Sequence, residues 1–180
     1  RDVYVYELAS SASHRWTESR LGDFSAAQLA PPQTVRFPTW DRLNGQARTL
    51  TSLLYRPPGN GPYPVLVLLE AIGAQRRPQL DPFVQYCVNE LGFAVLAPSL
   101  RDGEPGALDL GALLAWLGAQ PELRRDRVVL QGRGSGGTLA LTGLGLYGDR
   151  LRGAISIDGA ASIAQLLPVL VNESLPTCGR

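Results

Sequence analysis

From about residue 47 onward, apolar residues fall along this chain in two alternating patterns: short unbroken runs, and longer stretches spaced by three and four. Leu50 to Tyr55 reads as a strand closed by Arg56-Pro57-Pro58-Gly59, and Pro64-Val65-Leu66-Val67-Leu68-Leu69 is the continuous run expected of a strand buried on both faces. Asp81 followed by Pro82 supplies a cap and a proline at the first helical position. Val84, Cys87, Val88 and Leu91 then recur at i, i+3, i+4 and i+7, and Gly92 ends the helix. Phe93 to Ala97 is the next buried strand, and Leu110, Leu113, Leu114 and Leu117 repeat the helical spacing before the stop signals Gly118 and Pro121. Arg127 to Leu130 is strand again; a glycine-rich turn, a helix from about Gly136 to Tyr147 and a strand from Gly153 to Ile157 follow. This alternation predicts an α/β fold, a mostly parallel sheet joined by right-handed crossovers with helices on both faces.

The first thirty residues differ. Val3-Tyr4-Val5-Tyr6 has strand character, Ala9 to Ser13 is a small-residue turn, and Arg15-Trp16-Thr17 begins the return. A lone hairpin is marginal in water, so this piece reads as the edge of a larger sheet, separated by the linker Pro31-Pro32. Two units are therefore expected, a hairpin with its linker over 1–34 and the α/β unit over 35–180.

Composition narrows the function classes. At 44% apolar and 18% charged, the 180 residues are too rich in apolar groups for a disordered chain and lack collagen or coiled-coil periodicity. A net charge of +1 argues against nucleic acid and anionic membrane as partners, and no apolar run reaches the roughly 18 residues of a spanning helix. A soluble, cytoplasmic protein is the expectation. Cys87 and Cys178 are too few for a disulfide framework and lack metal-ligand spacing; Cys87 reads as a buried helical thiol. All 17 basic residues are arginine. There is no methionine, even at position 1, which suggests a processed chain or one cut from something longer. His14 is the single histidine, and imidazole is the usual general base at neutral pH.

Chemistry concentrates in Gln131-Gly132-Arg133-Gly134-Ser135-Gly136-Gly137. A tight strand-to-helix turn needs glycine for unusual φ and close packing, and a helix start offers amides to an anion. A nucleotide phosphate would require a Gly-x-Gly-x-x-Gly spacing or a Walker lysine, and the chain has neither. An acyl substrate would require serine at the apex of a Gly-x-Ser-x-Gly elbow; Ser135 misses it because Arg133 stands two residues before.

The stretch Arg56-Pro57-Pro58-Gly59, Gly61-Pro62-Tyr63-Pro64-Val65-Leu66-Val67, the segment Tyr86 to Pro98, and Asp109 to Asp126 with the glycine turn resemble the catalytic domain of the prolyl oligopeptidase family of serine peptidases. The resemblance spans roughly 35–180. It implies a partial α/β-hydrolase fold, acyl transfer to water through a covalent acyl-enzyme, a peptide or acyl-peptide substrate, and no metal or cofactor. Residues 1–30 resemble the last strands of that family's β-propeller.

The resemblance also implies what this chain lacks. Aligned without gaps from Arg127, the family's Gly-Gly-Ser-Tyr-Gly-Gly falls on Gly132 to Gly137, so Gly134 occupies the nucleophile's place and Ser135 that of a tyrosine. The family's His-Gly-Gly loop reads Glu70-Ala71-Ile72-Gly73, with a carboxylate where an oxyanion needs donors, and its Arg-Gly-Ser segment shrinks to Arg101-Asp102-Gly103-Glu104-Pro105-Gly106. The chain stops at Arg180, before the family's triad aspartate and histidine, and His14 precedes the elbow, against the Ser, acid, His order. Losing such a nucleophile costs on the order of a millionfold in turnover, so this chain alone is expected to be inactive.

Several readings stay open. Ser135 is the candidate catalytic residue if the elbow slips by one; otherwise its amide takes the oxyanion-hole place and Gly132, Gly134, Gly136 and Gly137 make a compact turn. Glu70 is a candidate pocket residue. The alternative to a peptidase is a degenerate hydrolase-fold module that binds a protein partner or self-associates through the sheet edge at Gly153 to Ile157, unless Ser162 to Val171 covers it. A third reading is an anion-binding module using the turn. Asp158 reads as structural, Arg76-Arg77 as a solvated turn, and Trp40 and Trp116 as packing residues.

Overall fold

The computed structural model describes residues 2–18, 28–70 and 80–159. Tyr4–Glu7 (β1) and Ala12–Arg15 (β2) pair antiparallel as a separate two-stranded sheet, with the single histidine, His14, opposite Val5. A six-stranded mixed sheet follows, built from Gln33–Leu43 (β3), Gln46–Tyr55 (β4), Tyr63–Leu69 (β5), Ala94–Pro98 (β6), Leu123–Arg133 (β7) and Gly153–Ile157 (β8) in the order β3-β4-β6-β5-β7-β8. The three ladders around β5 and β7 are parallel, and the two that join β3 and β4 are antiparallel. Pro82–Asn89 (α1), Gly103–Gly118 (α2) and Ser135–Tyr147 (α3) complete it, with a short 3₁₀ turn at Gly148–Arg150.

The unbroken apolar run of β5 is explained by its position near the middle of the sheet. Val65, Val67 and Leu69 face one core with Leu110, Leu113 and Leu117 of α2 and Leu139 and Ala140 of α3; Leu66 and Leu68 face the other with Val84, Cys87 and Val88 of α1. Helices thus cover both faces. Asp81 caps α1 by accepting from the amides of Phe83 and Val84, as expected. The helix ends at Asn89, however, and Leu91, which the spacing assigned to the core, is 49% exposed.

Strand β3 went unread in the sequence. Val35, Phe37 and Thr39 turn inward while Thr34, Arg36 and Pro38 face out, and a proline interrupts it, which a sheet tolerates only at an edge or a bulge. Both conditions hold: β3 ends the sheet, and its register with β4 shifts between Pro38 and Arg42. The turn Asn44-Gly45, with φ of 52° and 79°, joins β3 to β4 and is a sequence signal that would have revealed the hairpin. Ahead of it, the buried amide side chain of Gln85 accepts from the Ala30 N–H at 2.8 Å and donates to the Ala30 carbonyl at 3.1 Å, fastening the segment before the two prolines to α1.

This topology selects one place for chemistry. The connection leaving β5 leads to α1 on one face, and the one leaving β7 leads to α3 on the other. The carboxyl ends of these adjacent parallel strands are where open α/β sheets of this kind place their sites.

Candidate active-site elbow

At that edge of the sheet Leu69 pairs with Gly132, Arg133 pairs with Ile157, and the chain then turns from β7 into α3 at Gly134. Gly134 has φ +56° and ψ −122°, a combination far from the helical and extended wells that β-bearing residues prefer. Its N–H donates to Ile157 O at 2.9 Å, and its carbonyl accepts from the amides of Gly137 and Thr138, opening α3 without a side-chain cap.

The neighbouring glycines have a different reason. A Cβ on Gly136 would overlap the Leu69 carbonyl oxygen, and one on Gly132 the Gly136 carbonyl, so β5, β7 and α3 meet closer than any side chain permits. Gly137 packs likewise against Ser156 and Gly159. At Gly134, by contrast, no atom of the described residues other than its two chain neighbours lies within 4 Å of where a Cβ would be. The apex therefore combines a strained backbone with space, among the described residues, for a side chain it does not carry.

The sequence-derived candidates distribute around this apex. Ser135 is the first residue of α3 and is exposed, one position past the apex, and its φ is not positive. Arg133 is exposed on the strand side. Glu70 follows the end of β5 and is half-buried; its amide lies 3.4 Å from the Cβ position of Gly136. Asp158, with φ 53°, is exposed just beyond β8, while His14 belongs to the separate hairpin. Residues 71–73 of the oxyanion-type loop, Arg76-Arg77 and the segment Ser162 to Val171 lie outside the described residues.

No protein-family model and no curated protein sequence matches the chain. Solved structures do. A prolyl endopeptidase superposes with a TM-score of 0.70 at 13% identity over 86% of this chain, and the acylaminoacyl peptidase of Pyrococcus horikoshii with 0.67 at 15% over 88%. A bacterial heroin esterase superposes with 0.56 at 25% identity over 72%. The fold is that of an α/β-hydrolase. The chain spans only 25% and 27% of the first two proteins and 43% of the third. The strand-to-helix turn after β7 has Gly134 at its apex.

The loop after β6 carries a charge network that the sequence reading overlooked. Asp109 is fully buried on α2, and its carboxylate accepts from Arg101 Nε at 2.8 Å and from Arg101 Nη2. Arg101 also reaches both oxygens of Asp41, at 2.8 and 3.1 Å, and lies 5.7 Å above the Trp40 ring. Arg48 and the Thr39 hydroxyl bind Asp41 from the strand side. Hydrogen bonds from Arg101, then from Thr39, hold the Asp41 carboxyl well below the usual carboxylate range, and Asp109 followed by Asp41 pushes the Arg101 guanidinium up. The available signal was Asp109 itself, a carboxylate four residues before Leu113 on an otherwise apolar helix face. Trp116 packs partly buried against the core, while Trp40 is largely exposed and stacks on Arg101.

Among the described residues no three His, Cys, Asp or Glu side chains are grouped to hold a metal, and no helix is long and apolar enough to cross a membrane. Burial, with Asp81 nearby, raises the Cys87 thiol.

Proposed function

We propose that residues 35–180 are the amino-terminal part of a serine-hydrolase domain of the prolyl oligopeptidase type whose elbow has lost its nucleophile, and that 1–34 are a propeller-like hairpin with its linker. The observation that carries this reading is Gly134: strained backbone at the apex, space among the described residues where a side chain would project, and no hydroxyl. The sequence alignment supports it independently by placing Gly134 where the family has serine. Active relatives of such a domain would transfer the acyl group of a peptide or acyl-peptide to water. Here the single exposed hydroxyl at the turn, Ser135, belongs to the helix start, and the single histidine precedes the domain.

The test is a fluorophosphonate probe on the intact chain, read by mass spectrometry. No adduct is expected at the elbow; covalent labelling of Ser135 would show a working nucleophile and end the proposal. A second reading, an interaction module, is favoured by β8, which ends the described sheet with Ile155 48% exposed. Sedimentation over a wide concentration range tests it: a constant monomer mass rules out self-pairing.

A further inference from the structure

The end of the sheet away from the elbow is chemically distinct. Gly134 lies eight residues along β7 from Asp126, a separation of about 26 Å in extended chain. There, between the end of α2, the start of β7 and the 3₁₀ turn, a cleft of about 550 Å³ opens to solvent. Its apolar lining is accessible at Ala115, Gly118 and Ala119, over the buried Leu114, Leu117 and Val128, and its rim carries Arg125, Asp126, Asp149 and Arg150.

Arginines collect around this cleft. Arg124 pairs with Asp126 at 2.8 Å, Arg152 Nε donates to the Asp126 carbonyl at 2.7 Å, and Arg127 acts on the same carboxylate electrostatically. Asp126 is thereby neutralised. Arg125 and Arg150 make no ion pair or side-chain hydrogen bond among the described residues, so two guanidinium groups stand free at the mouth of a recess whose lining is part apolar and part charged. With Arg124, Arg127 and Arg152 they outnumber Asp126 and Asp149, in a chain whose net charge is only +1. The positive field is thus local to this end of the sheet.

We propose that this cleft is a docking site for an acidic protein segment that inserts one apolar side chain, with its carboxylates received by Arg125 and Arg150. Guanidinium groups match carboxylates in bidentate geometry, and the recess rewards burial of an aliphatic group. A continuous phosphate backbone fits worse. It would gain nothing from the apolar lining at Ala115, Gly118 and Ala119 and would meet Asp149 at the rim.

The test uses the full chain and a short fluorescein-labelled peptide of Glu and Asp with one central Leu, followed by fluorescence anisotropy. Binding is expected with Kd on the order of 10 μM at low salt, weakening steeply by about 300 mM NaCl. The double variant Arg125→Glu/Arg150→Glu should lose at least about tenfold in affinity, whereas Arg36→Glu, an exposed arginine on β3, should not. Circular dichroism verifies the fold, and Arg125→Gln/Arg150→Gln repeats the test with neutral side chains. Absence of binding overturns the proposal, as does equal weakening by Arg36→Glu. Equal affinity for a peptide with Ser in place of Leu overturns the apolar insertion, and tighter binding of a thymidine oligonucleotide of matched charge assigns the patch to nucleic acid instead.

Discussion

Replacing Arg101 by methionine tests the buried charge network most severely. The substitution keeps much of the side-chain volume but leaves the carboxylate of Asp109, which is 0% exposed, without either of its guanidinium donors. Stranding one partner of a buried pair costs about 3–5 kcal/mol, and the lost stacking on Trp40 adds about 0.5–1 kcal/mol. That is a large part of the roughly 5–15 kcal/mol that holds a domain together. Asp109→Leu should cost less, about 1–3 kcal/mol, because Arg101 keeps its bonds to Asp41 and its side chain is 26% exposed to water. The double variant removes the buried charge and its partner together, so it should be more stable than the sum of the single losses predicts, by about 2 kcal/mol. Urea unfolding followed by circular dichroism measures all three. If Arg101→Met costs under about 1 kcal/mol, or the two single effects simply add, Asp109 is not held by Arg101 and the network as described is wrong.

The remaining predictions address the elbow, acid stability and the segment before β3. Gly136→Ala should destabilise more than Gly134→Ala: the first drives a methyl into the Leu69 carbonyl, while the second meets no atom of the described residues beyond its chain neighbours and adds backbone strain of about 1–3 kcal/mol, a ranking that thermal melts can reverse. Because Asp41 ionises in the folded protein below its unfolded value of about 3.9, its contribution is complete above that pH and is lost as pH falls toward the lowered native value. Arg101→Met should therefore flatten the decline of Tm below about pH 4, and an unchanged acid limb would show that Arg101 does not set this ionisation. Gln85→Leu leaves the buried Ala30 amide without its acceptor and should cost about 1–3 kcal/mol. Hydrogen exchange should quicken at Ala30 while the β5 amides keep their protection relative to the lowered global stability.

The sequence by itself determined the α/β alternation, because strands buried on two faces need unbroken apolar runs such as Val65 to Leu69, and covering helices need a single stripe such as Leu110, Leu113, Leu114 and Leu117. It also located the glycine turn, since close approach of β7, β5 and α3 leaves room for no side chain at Gly132 or Gly136. One-sided edge strands left a weaker mark: in β3, Arg36 and Pro38 interrupt the apolar residues, so periodicity faded where only one face is buried. The start of β7 was hidden in the same way by Arg124-Arg125-Asp126-Arg127. Leu91 shows the opposite error, a residue in phase with the apolar stripe but beyond the last helical turn. Only the tertiary structure showed that Gly134 carries the strained apex and Ser135 the ordinary helix start, because φ and ψ at one residue are set by the strand and helix it joins. Only the tertiary structure, too, brought Asp41, Arg101 and Asp109 together: the charges lie 60 and 8 residues apart in the chain, and the partner of a buried charge is decided by which elements pack against it.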